Sequence, residues 1–216
     1  MENLIQEIVD FTKKDKKTII RICGHGASGK STFAKELQVA FPKGMAQVIE
    51  TDTYIVSNRT PQTLLLRDEV DGVEEIGTLT ACHPSRHDFD SLRRDLTMLA
   101  RGMDVLTIDT PWSPEYVLKA DCPVTIVEGM TPTFLEKGLF DVSIFFYTDA
   151  ETELARRLAR DTTERGRDAA FVRQTQTHRR RQYQLYMEKY KKDFDVIVNQ
   201  SSNQFKIEKC QIEKER

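Results

Sequence analysis

The nine residues Gly24-His25-Gly26-Ala27-Ser28-Gly29-Lys30-Ser31-Thr32 decide the reading of this chain. They fit the pattern G-x-x-x-x-G-K-[ST], a loop whose backbone N–H groups cradle phosphates. Just before it, the apolar run Thr18–Cys23 predicts a short buried strand. Just after it, from Ser31 to Phe41, the residues Phe33, Ala34, Leu37 and Phe41 fall at helical spacing, and Pro42 stops the helix. Strand, glycine loop and helix thus stand in the order a phosphate site requires. The glycines admit unusual φ/ψ and close backbone approach, while the helix start adds free N–H groups and the positive end of its dipole. In this pattern Lys30 reaches the β- and γ-phosphates of a nucleotide and the Ser31 hydroxyl ligates Mg²⁺.

With 216 residues the chain has room for one large domain carrying an inserted piece. Hydrophobic residues are 39% and charged residues 31%, the balance of a soluble globular protein rather than a disordered one. No apolar run approaches the roughly 20 residues that span a bilayer, and Met1–Asp10 is acidic, with no signal-peptide core. A cytoplasmic protein is expected. The net charge of −2 argues against bulk nucleic-acid binding but leaves room for a local cationic cluster. Cys23, Cys82, Cys122 and Cys210 form no C-x-x-C pair, and the four histidines are dispersed. His83 and His87 come nearest to an i, i+4 pair and read as polar residues beside a helix start.

Further strands are expected at Met45–Glu50, Val105–Asp109, Val124–Gly129, Val142–Tyr147 and Asp195–Val198. Helices are expected near the N-terminus (Leu4, Ile5, Ile8, Val9, Phe11), over Asp90–Leu99, Thr152–Ala159 and from about Asp168 to Lys191. Residues 56–86 show no clean period and carry turn formers such as Asn58, Pro61, Gly72 and Gly77. A segment of that length in a compact domain is usually a lid or a substrate-binding insert. Apolar strands alternating with helices predict an α/β fold, a parallel five-stranded sheet with helices on both faces. The chain reads as one domain over 1–216. The tail from Asn199 is polar with a weak apolar pattern at Phe205, Ile207 and Ile212, and its packing is left open.

Ligands of open α/β sheets bind outside the carboxyl ends of the strands, which puts Asp52, Asp109 and Glu128 on the rim that carries the phosphate loop. Phosphoryl transfer needs one carboxylate to take a hydroxyl proton and another to serve Mg²⁺. Between 156 and 168 the sequence is rich in arginine. Leu154, Ala155, Leu158 and Ala159 read as the buried side of a helix, leaving Arg156, Arg157 and Arg160 free. With Arg165, Gly166 and Arg167 they suggest a mobile arginine-rich lid that closes on a transferring phosphoryl group. His178-Arg179-Arg180-Arg181 reads as a solvated helix face.

These features resemble the uridine kinase and phosphoribulokinase family of P-loop kinases from about Thr18 to Val198. The resemblance rests on the loop, on Thr51-Asp52-Thr53-Tyr54, on Ile126-Val127-Glu128-Gly129, and on the lid Arg157, Arg160, Asp161, Glu164-Arg165-Gly166-Arg167-Asp168. It implies an ATP- and Mg²⁺-dependent kinase of a small-molecule hydroxyl, with a nucleoside such as uridine as the leading acceptor. The alternatives are a phosphoribulokinase-like kinase of a sugar phosphate and an inactive nucleotide-binding regulatory module. It also implies Asp52 as base, Lys30 on the phosphates, Ser31 and Glu128 at the metal, and Arg157 and Arg167 at the substrate. Arg160 and Arg165 would serve the nucleotide, and Asp195-Val196-Ile197 would lie near the adenine. The insert would span about 56–90 and the lid about 157–168. Two segments depart from uridine kinases. Cys82 stands where an aspartate holds the ribose hydroxyls, and Thr107–Pro114 lacks the tyrosine and histidine that read uracil. An N-K-x-D base reader of the GTPase type does not follow the loop.

Overall fold

The computed structural model describes residues 1–12, 16–56, 65–70, 72–111, 113–164 and 166–212. The chain opens with helix α1 (Glu2–Phe11), strand β1 (Thr18–Gly24), helix α2 (Lys30–Ala40) and strand β2 (Ala46–Glu50). An antiparallel hairpin follows, β3 (Leu65–Val70) with β4 (Val73–Thr78), and then helix α3 (Phe89–Ala100). Two short strands, β5 (Val105–Leu106) and β6 (Val117–Leu118), lead into β7 (Val124–Gly129) and β8 (Val142–Tyr147). Helices α4 (Ala150–Thr163), α5 (Ala169–Gln174) and α6 (Gln176–Gln182), strand β9 (Val196–Asn199) and strand β10 (Lys206–Cys210) complete it.

The central sheet has the order β10-β9-β8-β1-β7-β2. Five of these strands run parallel, and β10 pairs antiparallel with β9. The open tail is therefore a sixth strand, whose flanks Phe205 and Ile212 pack on the core. The expected strand Val105–Asp109 is a correction. Only Val105–Leu106 is extended, and it pairs with β6 in a separate two-stranded ribbon. A run of β-branched residues has strand propensity, but at the β2 edge the Tyr116 hydroxyl, not a further strand, accepts from Glu50 N and donates to the Val48 carbonyl.

The two-residue period of the strands sorts the core into layers. Ile20, Ile22, Ile126, Ile144 and Phe146 face α1 and α2, meeting Leu4, Ile8, Phe33 and Leu37. Fully burying a side chain such as Phe33 or Leu37 contributes about 1.5–3 kcal/mol. On the other face Val127 packs toward Leu92, Leu96 and Leu99 of α3, and Cys23 and Phe145 pack toward Tyr183, Met187 and Phe194. Arg21 shares that second face and is 2% exposed. It donates to the carbonyls of Pro132 and Leu135 at 3.1 Å each and lies over the Phe140 and Phe194 rings. The expected long helix from Asp168 is helical but broken, since Thr175 separates α5 from α6 and a π-turn follows at Tyr183–Met187. Among the described residues no helix is long and apolar enough to cross a membrane.

Candidate active site

β1 delivers the chain to the sheet rim at Gly24, whose φ is +147°. A Cβ there would lie 2.1 Å from the Phe146 carbonyl oxygen of β8, so only glycine lets the loop leave between the two strands. His25 braces the turn. Its Nδ1–H donates to the Gly26 carbonyl at 2.9 Å and its Nε2 accepts from the Thr148 N–H at 3.0 Å, which fixes the tautomer. Burial and the nearby Arg180 charge push its pKa down to about 3. The ring is therefore neutral although Glu153 lies 3.7 Å away. Ala27 has φ +62°, and its carbonyl accepts from Arg156 at 3.2 Å. Gly29 has φ +94° and lies beneath the Gln200 side chain, where a Cβ would sit 2.1 Å from Oε1.

α2 then begins at Lys30 with no side-chain cap and no acidic residue in its first turn. Its N-terminal N–H groups and dipole are left for an anion. Ser28 Oγ is buried without a hydrogen-bond partner. The Ser31 hydroxyl donates to Glu128 Oε1 at 3.0 Å, and Lys30 Nζ lies 3.5 Å from the same oxygen. Glu128 comes from β7, in register with Glu50 of β2. Asp52 follows β2 in the short turn Thr51–Tyr54 and is exposed. Among the described residues no cluster of three or more His, Cys, Asp or Glu could hold a metal alone. One hydroxyl and one carboxylate beside a phosphate cradle is nevertheless a hard-oxygen set that suits Mg²⁺, which keeps waters and shares phosphate oxygens.

The rim opens into a cavity of about 870 Å³. Asp52 and Thr53 line one side, Thr78 to Ala81 from the end of β4 another, and Arg160, Asp161 and Arg167 a third. His178 and Arg179 of α6 complete the wall. A carboxylate and four guanidinium groups, those of Arg86, Arg160, Arg167 and Arg179, line one opening, and Arg179 links its wall to the loop, with Nη2 3.8 Å from where a Cβ on Gly26 would lie.

The phosphoribulokinase / uridine kinase family model matches residues 19–206. The chain belongs to this family. It is 30% identical over 190 residues to a uridine kinase of Brevibacillus brevis, covering 83% of each chain. It is 25% identical over 211 residues to the chloroplastic phosphoribulokinase of Chlamydomonas reinhardtii, covering 89% of this chain and 54% of that protein. Its fold is similar to that of phosphoribulokinase from Rhodobacter spheroides, with a TM-score of 0.60 and 15% identity over 85% of this chain and 70% of that one. The family consists of P-loop kinases that use ATP and act on small hydroxyl acceptors.

Most residues expected at the site from the sequence come together in this member of the phosphoribulokinase / uridine kinase family, with four corrections. Asp195 is not near the phosphate loop. It precedes β9 at the amino edge of the parallel sheet, where its carboxylate accepts from Ser143 N and Oγ at 2.9 and 2.6 Å and pairs with Lys137. The loop lies at the opposite, carboxyl edge. Asp109 does not end a strand of the main sheet, because β5 stops at Leu106 and pairs in a separate ribbon. In α4 the expected faces are exchanged. Glu153, Arg157 and Asp161 are buried while Ala155 and Ala159 are exposed, because the helix turns its charged side to a polar cavity. Arg157 is thus 1% exposed rather than free, donating to Gln176 Oε1 at 2.5 Å. Burial, first of several causes, pulls its pKa down to about 10.

The fourth correction concerns 178–181, which is not a solvated face. Arg180 donates to the Thr148 carbonyl at 2.9 Å and reaches Glu153, and Arg181 is buried. His178 and Gln182 bond the Thr78 carbonyl, and Gln182 Oε1 accepts from Thr80 N and Oγ1 at 2.8 Å each. α6 therefore holds the hairpin wall of the cavity. Arg165 and residues 57–64 of the insert lie outside the described residues, as does Trp112. Cys82 is buried in an apolar cluster with Cys23, Met130 and Tyr183, and burial raises its pKa. His87 is a satisfied core histidine, bonding Thr131 Oγ1 at 2.9 Å and the Ala81 carbonyl at 2.8 Å.

Proposed function

We propose that the chain transfers the γ-phosphoryl group of ATP to a hydroxyl of a small ribose-like acceptor held in the 870 Å³ cavity. The observation that carries the reading is Asp52, an exposed carboxylate one turn beyond β2 that lines the same cavity as Arg160 and Arg167, beside the phosphate loop. Asp52 takes the proton of the acceptor hydroxyl as its oxygen bonds to phosphorus and the bond to the ADP oxygen breaks. Lys30 and the loop N–H groups hold the phosphates, and Arg160 and Arg167 face the developing charge. Ser31 and Glu128 would hold Mg²⁺, which neutralises charge on the phosphates when bound. The insert of about 56–90 serves the acceptor, with Val56, Thr78 to Ala81 and Arg86 at the cavity wall, the stretch of about 157–168 acts as the lid, and the whole chain serves as one domain.

A nucleoside such as uridine is the first acceptor to expect, supported by relatives named uridine kinase in Brevibacillus, Halalkalibacterium and Aeromonas. A sugar phosphate is the second reading, favoured by one observation. The cavity wall carries Arg86, Arg160, Arg167 and Arg179, whereas Cys82, at the position of the ribose-holding aspartate, offers a buried neutral thiol. A screen of ATP consumption across nucleosides and sugar phosphates identifies the acceptor. Asp52→Asn should then lower kcat by at least about 100-fold and leave ATP affinity nearly unchanged. Joint loss of ATP binding and turnover would remove Asp52 from the role of base. Tight ATP binding with no turnover of any acceptor would make the chain a regulatory module instead.

A further inference from the structure

Around the cavity, the guanidinium groups are nearly all engaged by the protein itself. Arg160 binds Asp161 at 2.8 Å, and Arg167 lies 3.8 Å from the same carboxylate. Arg86 donates to the carbonyls of Leu79 and Val56 at 3.0 and 3.3 Å. Arg156 is held by Ala27, Gln200 and Asn203. Arg179 is the exception. Among the described residues its half-buried side chain has neither a hydrogen bond nor an ion pair. Its charge opposes ionisation of Arg86 and Arg157, and the carboxylate it favours, the buried Glu153, is already bonded by Arg180. A guanidinium so placed is costly unless an anion comes to it.

The position says which anion. Nη2 lies 3.8 Å from the point where a side chain on Gly26 would begin, and the same residue lines the cavity with Asp52. Gly26 stands in the first half of the loop, ahead of the Gly29-Lys30 end from which α2 departs. The residues on either side are pinned: His178 to Thr78, Arg180 to Thr148 and Glu153. Arg179 is therefore presented by a fixed helix, whereas Arg160 and Arg167 must first let go of Asp161.

Resting on the kinase reading above, we infer that Arg179 is a further catalytic residue that contacts the γ-phosphoryl group of ATP and holds it during transfer. The group it supports is the one passing from the ADP oxygen to the acceptor oxygen, while Asp52 keeps the proton. An arginine so placed stabilises the charge spread over the equatorial oxygens and is worth about 10³–10⁵ in kcat where it has been measured. It belongs to α6 and not to the arginine lid.

The test compares wild type with Arg179→Ala, Arg179→Lys and the exposed control Arg173→Ala. Titration with ADP and with a non-hydrolysable ATP analogue, both with Mg²⁺, needs no acceptor. Arg179→Ala should leave ADP affinity within about 2-fold and weaken the analogue by about 10-fold, which is 1.4 kcal/mol. With the acceptor from the screen, kcat should fall at least about 100-fold, with partial rescue by added guanidinium and little rescue by lysine. The melting temperature should hold or rise, because repulsion among cations is relieved. Equal weakening of ADP and the analogue overturns the inference, as does an unchanged kcat with a raised acceptor KM. Lys30→Ala separates the two levels. If it abolishes nucleotide binding while Arg179→Ala changes nothing, only this inference fails; if it changes nothing, the phosphate loop reading fails as well.

Discussion

Removing the charge of Asp161 offers a sharp test of how the lid is held. The carboxylate is fully buried and, among the described residues, faces three cations, Arg160 at 2.8 Å, Arg167 at 3.8 Å and Arg157 at 3.9 Å. Two of these are partly solvated, with side chains 31% and 42% exposed, and such pairs contribute about 0–1 kcal/mol each. Arg157 decides the magnitude, because its side chain is 2% exposed. Taking away one partner of a buried pair costs about 3–5 kcal/mol, since the other charge stays behind in a poorly solvated place. For a chain of this size each kcal/mol moves the melting temperature by about 2–4 °C, so Asp161→Asn should lower it by roughly 6–20 °C. The assay is thermal unfolding in low salt and again in about 1 M salt, where the Debye length is about 3 Å. The loss should persist in both, because buried pairs are screened little. The exposed Arg93 pairs with Asp90 and Glu136 provide the contrast: Arg93→Ala should barely move the midpoint. Adding Arg157→Met to Asp161→Asn should recover part of the loss. A shift below about 2 °C, or one that vanishes in high salt, would refute the view that this carboxylate anchors the lid.

Two further outcomes follow from geometry and burial. A Cβ on Gly77 would lie 2.3–2.6 Å from the His178 ring, so Gly77→Ala should push the hairpin off α6. Overpacking of that kind costs about 1–3 kcal/mol, and the acceptor KM should rise about 10-fold while ATP affinity holds; adding His178→Ala should reverse it. His25 and His87 are neutral when folded, with pKa values of about 3 and about 4. Both rings titrate near 6.5 when unfolded. At pH 5 the unfolded chain therefore holds more protons, and stability falls as pH drops from about 6.5 toward 4, by about 1.4 kcal/mol per pH unit for each ring. Urea midpoints at pH 7.5 and 5.0 should differ accordingly, and His87→Gln should reduce that difference by about half.

Much of the fold was legible because it is written in local chemistry. β1, the loop and α2 announce themselves by an apolar run, glycines and helical spacing, and β7 and β8 by mostly apolar runs that the fold buries up to Gly129 and Phe146. Where the reading failed, the missing information was what lies opposite a residue. In α4 leucine and alanine occupy the side expected to be buried, yet the neighbour is a polar cavity, which inverts the wheel. The same holds for Arg179, Arg180 and Arg181, whose run of charge looks solvated until α5, the hairpin and the loop surround it. β10 reads as polar because it is an edge strand, with only its flanks reaching the core. Asp195 carries a familiar tripeptide, but strand direction puts it at the wrong edge.

The contact between Gly29 and the Gln200 side chain extends beyond the loop itself. Position 29 requires glycine twice over, once for its φ of +94° and once because an amide from the segment after β9 fills the space a side chain would take. The two positions are therefore not independent in heredity. A lineage that shortens residue 200 relaxes one of the two demands on residue 29, while one that enlarges it tightens the roof over the loop. Part of what fixes the nine-residue loop is thus set by a residue near the other end of the chain.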